Sequence, residues 1–251
     1  MKSSSGSPVP RREKNAQCVK DHANYLLLTL ATFLNYIRTA MASGRSAPAS
    51  QSQGQTLLAA IKQDHREIEA YWNKYQQASG DIDAQTRWAN QLTWEIARHS
   101  IGEELVVYPL LEEAMGEKGH QMAEHDRADH QVVKNGLKKI ESLKVGSAEF
   151  NQILSTIMSE LMEHIKTEEE QDFPQLESAI GYEKSLSVAK SFERTKHFVP
   201  TRSHPSAPNK PPFETLAGLL AAPLDKLRDA FSKFPSEQEK QQATAGIHPI
   251  N

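Results

Sequence analysis

The sequence predicts an all-α protein: an up-and-down four-helix bundle built from a duplicated helical hairpin, followed by a C-terminal Pro-rich arm and helix. Three observations lead there. Apolar residues recur at helical spacing almost without interruption from about residue 55 to 180. Short breaks bearing glycine and serine divide that stretch into four. The chain also matches itself, without a gap, when shifted by 65 residues.

Leu58, Ile61, Ile68, Trp72 and Tyr75 lay one apolar stripe along a first helix, which ends at Ser79-Gly80-Asp81. Trp88, Leu92, Ile96, Val106 and Leu110 mark the second helix, which stops in the segment from Gly116 to Gly119. Ala123, Val133, Leu137 and Ile140 mark the third, which ends at Val145-Gly146-Ser147, and Phe150, Ile153, Ile157 and Leu161 mark the fourth. Helices joined by connections this short pack antiparallel. A further helix is expected from Tyr182 to about Lys196, and then the Pro-rich run from Val199 to Pro212 favours extended backbone. Phe213 to Phe234 reads as one more amphipathic helix, interrupted at Pro223. It is expected to dock on the bundle through Leu216, Leu219, Leu220, Leu224, Leu227 and Phe231. The expected layout is a disordered or targeting leader over 1–54, the bundle over 55–182, a C-terminal extension over 183–235 and a mobile tail over 236–251.

In the leader, clusters of Ser, Gly and Pro flank an apolar stretch from Tyr25 to Ile37. That stretch is shorter than the roughly 20 apolar residues of a membrane-spanning helix, so stable membrane insertion is not expected. Frequent serine and a basic excess up to Arg45 suit an organelle transit peptide. A secretory signal cleaved near Ala40-Met41-Ala42 and a disordered extension are the rival readings. The compartment expected is cytoplasmic or mitochondrial. A formal net charge of −3 gives no basic excess to meet a phosphate backbone, so nucleic acid is not an expected partner. One cysteine, Cys18, excludes an intramolecular disulfide and a thiolate metal motif. No nucleophile triad, phosphate loop or dinucleotide fingerprint is present.

The self-match locates the chemistry. It brings Asp64-His65 onto Asp129-His130, Glu95 onto Glu160, His99 onto His164, Glu103-Glu104 onto Glu168-Glu169 and Tyr108-Pro109 onto Phe173-Pro174. So many unlike residue types in register indicate a duplication with pseudo-two-fold symmetry. Each half contributes a histidine on its first helix and a His-x-x-x-Glu pair on its second: His65 with His99 and Glu103, and His130 with His164 and Glu168. A spacing of four puts His and Glu on one helix face. The same residues continue the apolar stripes, so all six side chains are expected to point into the bundle.

A lone histidine on an apolar stripe is ordinarily a hydrogen-bonded core residue. Six polar groups converging from four helices are not explained that way, because two buried carboxylates without cations would cost several kcal/mol each. No Lys or Arg lies on these stripes to pair with them. Two metal ions remove the difficulty, with imidazoles binding each ion and carboxylates bridging them. The expected ligands are therefore His65, His99, Glu103, His130, His164 and Glu168. Imidazole and carboxylate donors without thiolate suit two iron ions in a non-haem di-iron centre, with manganese or zinc as alternatives. Ferritin-like centres use Glu before His at spacing three, the reverse of the order here.

These residues resemble the hemerythrin-like, or HHE cation-binding, domains. The resemblance covers roughly 55–180 and rests on Asp64-His65, the run from His99 to Pro109 with Glu103 and Tyr108, Asp129-His130, and the run from His164 to Pro174 with Glu168 and Phe173. It implies a four-helix bundle, a topology for which the family's myohemerythrin is a standing example. It also implies a di-iron centre that binds dioxygen, nitric oxide or peroxide, or senses iron and oxygen. Two positions depart from the family's oxygen carriers. Asp126 stands where they have a fifth histidine, and Glu169 stands where they place the last carboxylate, although the repeat favours Glu168. The resulting ligand set is similar to that of di-iron proteins implicated in iron-sulfur cluster repair and nitric oxide handling, which argues against reversible oxygen transport.

The leading functional expectation is thus a metal-binding protein whose di-iron centre binds or reduces a small diatomic or peroxidic molecule. Whether it is an enzyme is left open; as one, it would be a non-haem di-iron oxidoreductase. The alternative is an iron or oxygen sensor, or an iron store, acting without turnover through metal-dependent folding and a protein partner on the C-terminal arm. A purely structural role is the third reading. Among the remaining residues, Asp126 is expected as an ordinary charge near a helix start, with a seventh ligand or an outer partner of the ligands as the alternative. Glu104 and Glu169 are expected on a solvated face, with contacts behind the ligands as the alternative, and His120 and His125 at the surface. Tyr108 and Phe173 are expected to pack at the bundle end, and Pro109 and Pro174 to kink or finish their helices.

Overall fold

The computed structural model describes residues 54–210 and 213–247, though not the side chains at 213–216 and 218–220. The expected leader, apart from its last residue, and the expected contacts of Leu216, Leu219 and Leu220 lie outside the described residues. Four long helices form the body: α1 (Leu57–Gln77), α2 (Ile82–Gly102), α3 (Tyr108–Ile140) and α4 (Ala148–Thr167). Three begin at side chains suited to the task. Thr56, Asp81 and Ser147 accept hydrogen bonds from the backbone N–H of Ala59, Ala84 and Phe150, filling donors that a helix start leaves free.

Two π-helical turns interrupt the second and fourth expected helices. Glu103–Val107 joins α2 to α3, and Glu168–Asp172 joins α4 to a short helix, α5 (Phe173–Ile180). Pro109 and Pro174 are each the second residue of the α-helix that follows a π turn. The chain stays helical beyond both of them, so neither finishes a helix. The reversal comes later, at Gly116 and Gly181, whose φ of 59° and 75° are values that suit glycine. Gly116 thus divides α3 into segments 108–115 and 117–140. The π turns also correct the expected stripes. A π turn inserts an extra residue into the helical repeat, so Val107 rather than Val106 is buried. Independently of the π turns, Leu154 of α4 is buried while the expected Ile153 is only partly covered.

α1 pairs with α2, and α3 with α4, while α6 (Tyr182–Lys196) packs against α1, α2 and α5. The core is two apolar clusters. One includes Ile68, Leu92, Ile96, Val133, Leu154 and Leu161; the other includes Ile61, Val107, Leu111, Ala123, Phe173 and Phe192. On α1 and α3 the change from one cluster to the other falls at a histidine, His65 or His130, while α2 and α4 feed only the first cluster and the second resumes beyond their π turns, at Val107 and Phe173. A polar layer is thereby held between two dry ones.

Residues 197–210 contain neither helix nor strand. They lie along α2 and α3, where Ser203 Oγ donates to the Lys134 carbonyl at 2.7 Å and Gln131 Nε2 donates to the Pro205 carbonyl at 3.1 Å. α7 (Phe213–Asp229) contains Pro223. Its Leu224 and Leu227, and Phe231 beyond it, are exposed rather than docked. Asp225 is buried instead, accepting from His204 Nε2 and the Arg202 backbone N–H. From Ser236, where the sequence predicts a mobile tail, the chain forms α8 (Glu237–Ala243). A capping box of Ser236 and Glu239 starts this helix, and Arg87 of α2 ion-pairs with Glu239. Among the described residues no helix is long and apolar enough to cross a membrane.

Candidate metal centre

All six expected residues meet in the polar layer, and none is more than 3% exposed. His65 comes from α1, His99 from α2, His130 from α3 and His164 from α4, while Glu103 and Glu168 open the two π turns. The Nε2 atoms of His65 and His99 are 3.0 Å apart, as are those of His130 and His164. Each carboxylate spans the two pairs. Glu103 sets Oε1 3.3 Å from His99 Nε2 and Oε2 3.4 Å from His130 Nε2. Glu168 sets Oε2 3.4 Å from His65 Nε2 and Oε1 3.1 Å from His164 Nε2. Two donor sets result, His65/His99 and His130/His164, each completed by both glutamates and each with its atoms within 4.8 Å of one another.

Hydrogen bonding within the protein does not satisfy this layer. Both oxygens of Glu103 and Oε2 of Glu168 are buried without a hydrogen-bond partner. Burial, reinforced by the charge of Glu168, pushes the Glu103 carboxyl well above the ordinary range. Burial also opposes ionisation of Glu168, but His164 and His65 outweigh it and hold that carboxyl well below the ordinary range. Nitrogen and oxygen lone pairs facing one another at these separations are the chemistry of cation ligands, so the donors fit a pair of metal ions.

Around the six lies an outer ring of carboxylates that also obeys the repeat. His99 Nδ1 is 3.2 Å from Asp64 Oδ2, and His164 Nδ1 is 3.4 Å from Asp129 Oδ2. His65 Nδ1 is 2.8 Å from Glu169 Oε1, and His130 Nδ1 is 3.1 Å from Glu104 Oε1. Partners of this kind fix the ring orientation and tautomer of a metal-binding histidine. Three of the four carboxylates pair in turn with a cation: Asp64 with Lys196, Glu104 with Lys134 and Glu169 with Arg66.

Several expectations are corrected here. Glu104 is fully buried and Glu169 largely so, not solvated. The π turn brings two consecutive glutamates inward, and their recurrence in both halves is the signal for it in the sequence. Asp126 is also fully buried, its Oδ1 4.0 Å from His164 Nδ1, outside both donor sets. Burial, aided by Glu168, raises its carboxyl to about 8. Tyr108 does not simply pack at the bundle end. Its Oη lies 3.1 Å from His130 Nε2 and donates to Glu168 Oε1 at 3.1 Å. Its replacement by Phe173 in the other half is the only hint of this in the sequence. His120 and His125 are exposed and outside both donor sets, although His125 Nε2 lies 3.7 Å from Asp129 Oδ2 of the outer ring.

The hemerythrin HHE cation binding domain matches residues 56–176 of the chain. Over 176 residues the chain is 54% identical to a hemerythrin-like protein of Schizosaccharomyces pombe, a match covering 70% of this chain and 86% of that protein. Over 173 residues it is 22% identical to a DNA nickase of Nostoc, covering 69% of this chain and 47% of the nickase. No solved structure matches. With its duplicated helical hairpin and a buried His and Glu layer suited to cations, the chain belongs to the hemerythrin HHE cation-binding family.

Proposed function

We propose that this protein holds two non-haem iron ions, with His65 and His99 on one, His130 and His164 on the other, and Glu103 and Glu168 bridging them. The observation behind this reading is that each carboxylate gives one oxygen to each histidine pair. Iron bound there would supply a redox couple and a coordination position for a small diatomic or peroxidic molecule such as dioxygen, nitric oxide or peroxide. The chain's own part is to orient the imidazoles through the outer carboxylates, to exclude water with the two apolar clusters, and to hold Glu168 ionised through His164 and His65.

The test is iron content per chain on the full-length protein purified without oxygen or chelator. About two irons support the reading, while a folded protein that takes up none refutes it. The same samples address the outer ring. Glu104→Gln and Glu169→Gln should each weaken iron binding by roughly 10–100-fold in competition with a chelator. A change of less than about twofold in both would show that the outer carboxylates do not tune the histidines.

One contact favours a second reading, that of a sensor or store acting without turnover. Lys196, the last residue of α6, pairs with Asp64, which meets His99 Nδ1. Residues 197–210 begin directly after it, so the centre is connected to that segment through two side chains. Iron-dependent protection of 197–210 from protease, with no consumption of nitric oxide or peroxide, would select the sensor. Turnover without such protection would select the oxidoreductase.

A further inference from the structure

The pseudo-two-fold symmetry holds for the six inner side chains and for the four outer carboxylates, and among the buried places where it breaks are two whose polar member faces the inner histidines. Tyr108 corresponds to Phe173, and Asp126 to Ile61. All four are buried, at 0–1% exposure, so none of them is shaped by solvent. Both polar members are close to the His130/His164 donor set: Tyr108 by way of His130, Asp126 by way of His164.

The position of the Tyr108 oxygen is specific. It stands 3.1 Å from His130 Nε2 and 3.1 Å from Glu168 Oε1, two donors of one set. Within the sets, neighbouring donors are separated by the same interval, 3.0–3.4 Å. With metal–donor bonds of about 2.0–2.2 Å, donors at right angles around one ion lie roughly 3 Å apart. The phenol oxygen therefore sits where a further donor to the His130/His164 ion would sit. Across the pseudo-axis, Phe173 offers no such atom. Among the described residues, Tyr108 alone brings a phenol oxygen to the six side chains.

We propose that Tyr108 is a protein ligand of the ion held by His130 and His164, bound as its phenolate, and that the two metal positions are therefore chemically unequal. This inference rests on the dinuclear reading above. On binding, the phenol O–H bond breaks, an oxygen–metal bond forms, and the proton leaves to solvent with no change in electron count. The hydrogen bond from Tyr108 to Glu168 is then given up, and that oxygen of Glu168 becomes free to serve the same ion.

A phenolate on ferric iron gives a charge-transfer band in the visible, and excitation in that band enhances ring modes of the tyrosinate that imidazole and carboxylate ligands do not produce. The experiment is iron analysis together with visible absorption and resonance Raman spectra of the full chain in its ferric state, beside Tyr108→Phe. The expected result is about two irons in both proteins, with tyrosinate modes in the parent only. Two irons in the parent without tyrosinate modes overturn the proposal and leave the dinuclear centre standing, as do modes that persist in Tyr108→Phe. A folded parent that takes up no iron refutes the dinuclear reading and this one with it. Should Tyr108→Phe fail to fold, the parent is grown with ring-deuterated tyrosine. Modes that shift on labelling support Tyr108 as the ligand, and their absence refutes it.

Discussion

Replacing His99 and His164 together by alanine is expected to abolish iron loading, from about two ions per chain to none retained against a chelator. The substitutions remove one imidazole from each donor set, because His99 belongs to one and His164 to the other. Of the six donors, what remains around each position is a single imidazole and one oxygen from each glutamate, with the Tyr108 oxygen beside the second position only. An outer partner alone is worth roughly 10–100-fold in affinity, and a direct donor is worth more. Both histidines are buried, so truncation also opens two cavities, at a cost of on the order of a few kcal/mol. Loss of iron must therefore be read beside helical content by circular dichroism. His120→Ala supplies the control, since that side chain is exposed and outside both donor sets, so the variant should load iron in the centre as the parent does. Unchanged loading in a folded double variant would remove the ligand assignment.

Much of the centre is legible in the repeat. His65, His99, Glu103, His130, His164 and Glu168 are found by sliding the sequence against itself, because duplication copies chemistry and apolar phase together. The structure does bring those six side chains into one layer. What escapes is what a strict 3.6-residue period cannot represent. The π turns at Glu103–Val107 and Glu168–Asp172 shift the phase of the helix. Residues directly after the His-x-x-x-Glu pairs therefore face otherwise than expected. Glu104 turns inward to His130, Val107 replaces Val106 in the core, and Tyr108 reaches the donors of the opposite half. The pairing of α6 with α1 and α2 escapes for another reason. It has no counterpart on the second hairpin, so Asp64 and Glu95 are buried beneath it while Asp129 and Glu160 remain exposed or nearly so. Symmetry inferred from sequence cannot show where the symmetry ends. α8 escapes because seven residues make too short a helix for periodicity to reveal, although Ser236 and Glu239 spell its capping box.

Glu103→Gln should move stability and loading in opposite directions, an outcome expected of a ligand and not of a residue that merely packs. In the iron-free protein Glu103 has neither oxygen hydrogen-bonded and faces the charge of Glu168, so its carboxyl titrates well above the ordinary value. A carboxyl raised on folding stabilises fully below its unfolded value, about 4.3 for glutamate, and that contribution is lost as pH rises toward the raised folded value. The iron-free parent should accordingly lose stability as pH climbs through that window. Glutamine keeps the shape, carries no proton to lose, and can donate its amide to the nearby imidazole Nε2 of His99 or His130. The opposing contribution of Glu168, which His164 and His65 hold ionised, is present in both proteins, so the comparison isolates Glu103 to first order. At pH 8 the iron-free variant should be more stable than the iron-free parent by on the order of 2 kcal/mol. That corresponds to a thermal midpoint higher by about 4–8 °C. The same variant should fail to hold two irons, since an amide offers one neutral oxygen where the centre needs two anionic ones. Calorimetry of the chelated proteins and metal analysis of the reloaded ones check both halves. A variant no more stable than the parent at pH 8 would mean that Glu103 is not strained in the iron-free state. A variant that still binds two irons would mean that the bridge is elsewhere. Together the two expected results would identify the buried carboxylate layer as a standing cost to the fold that only bound cations offset.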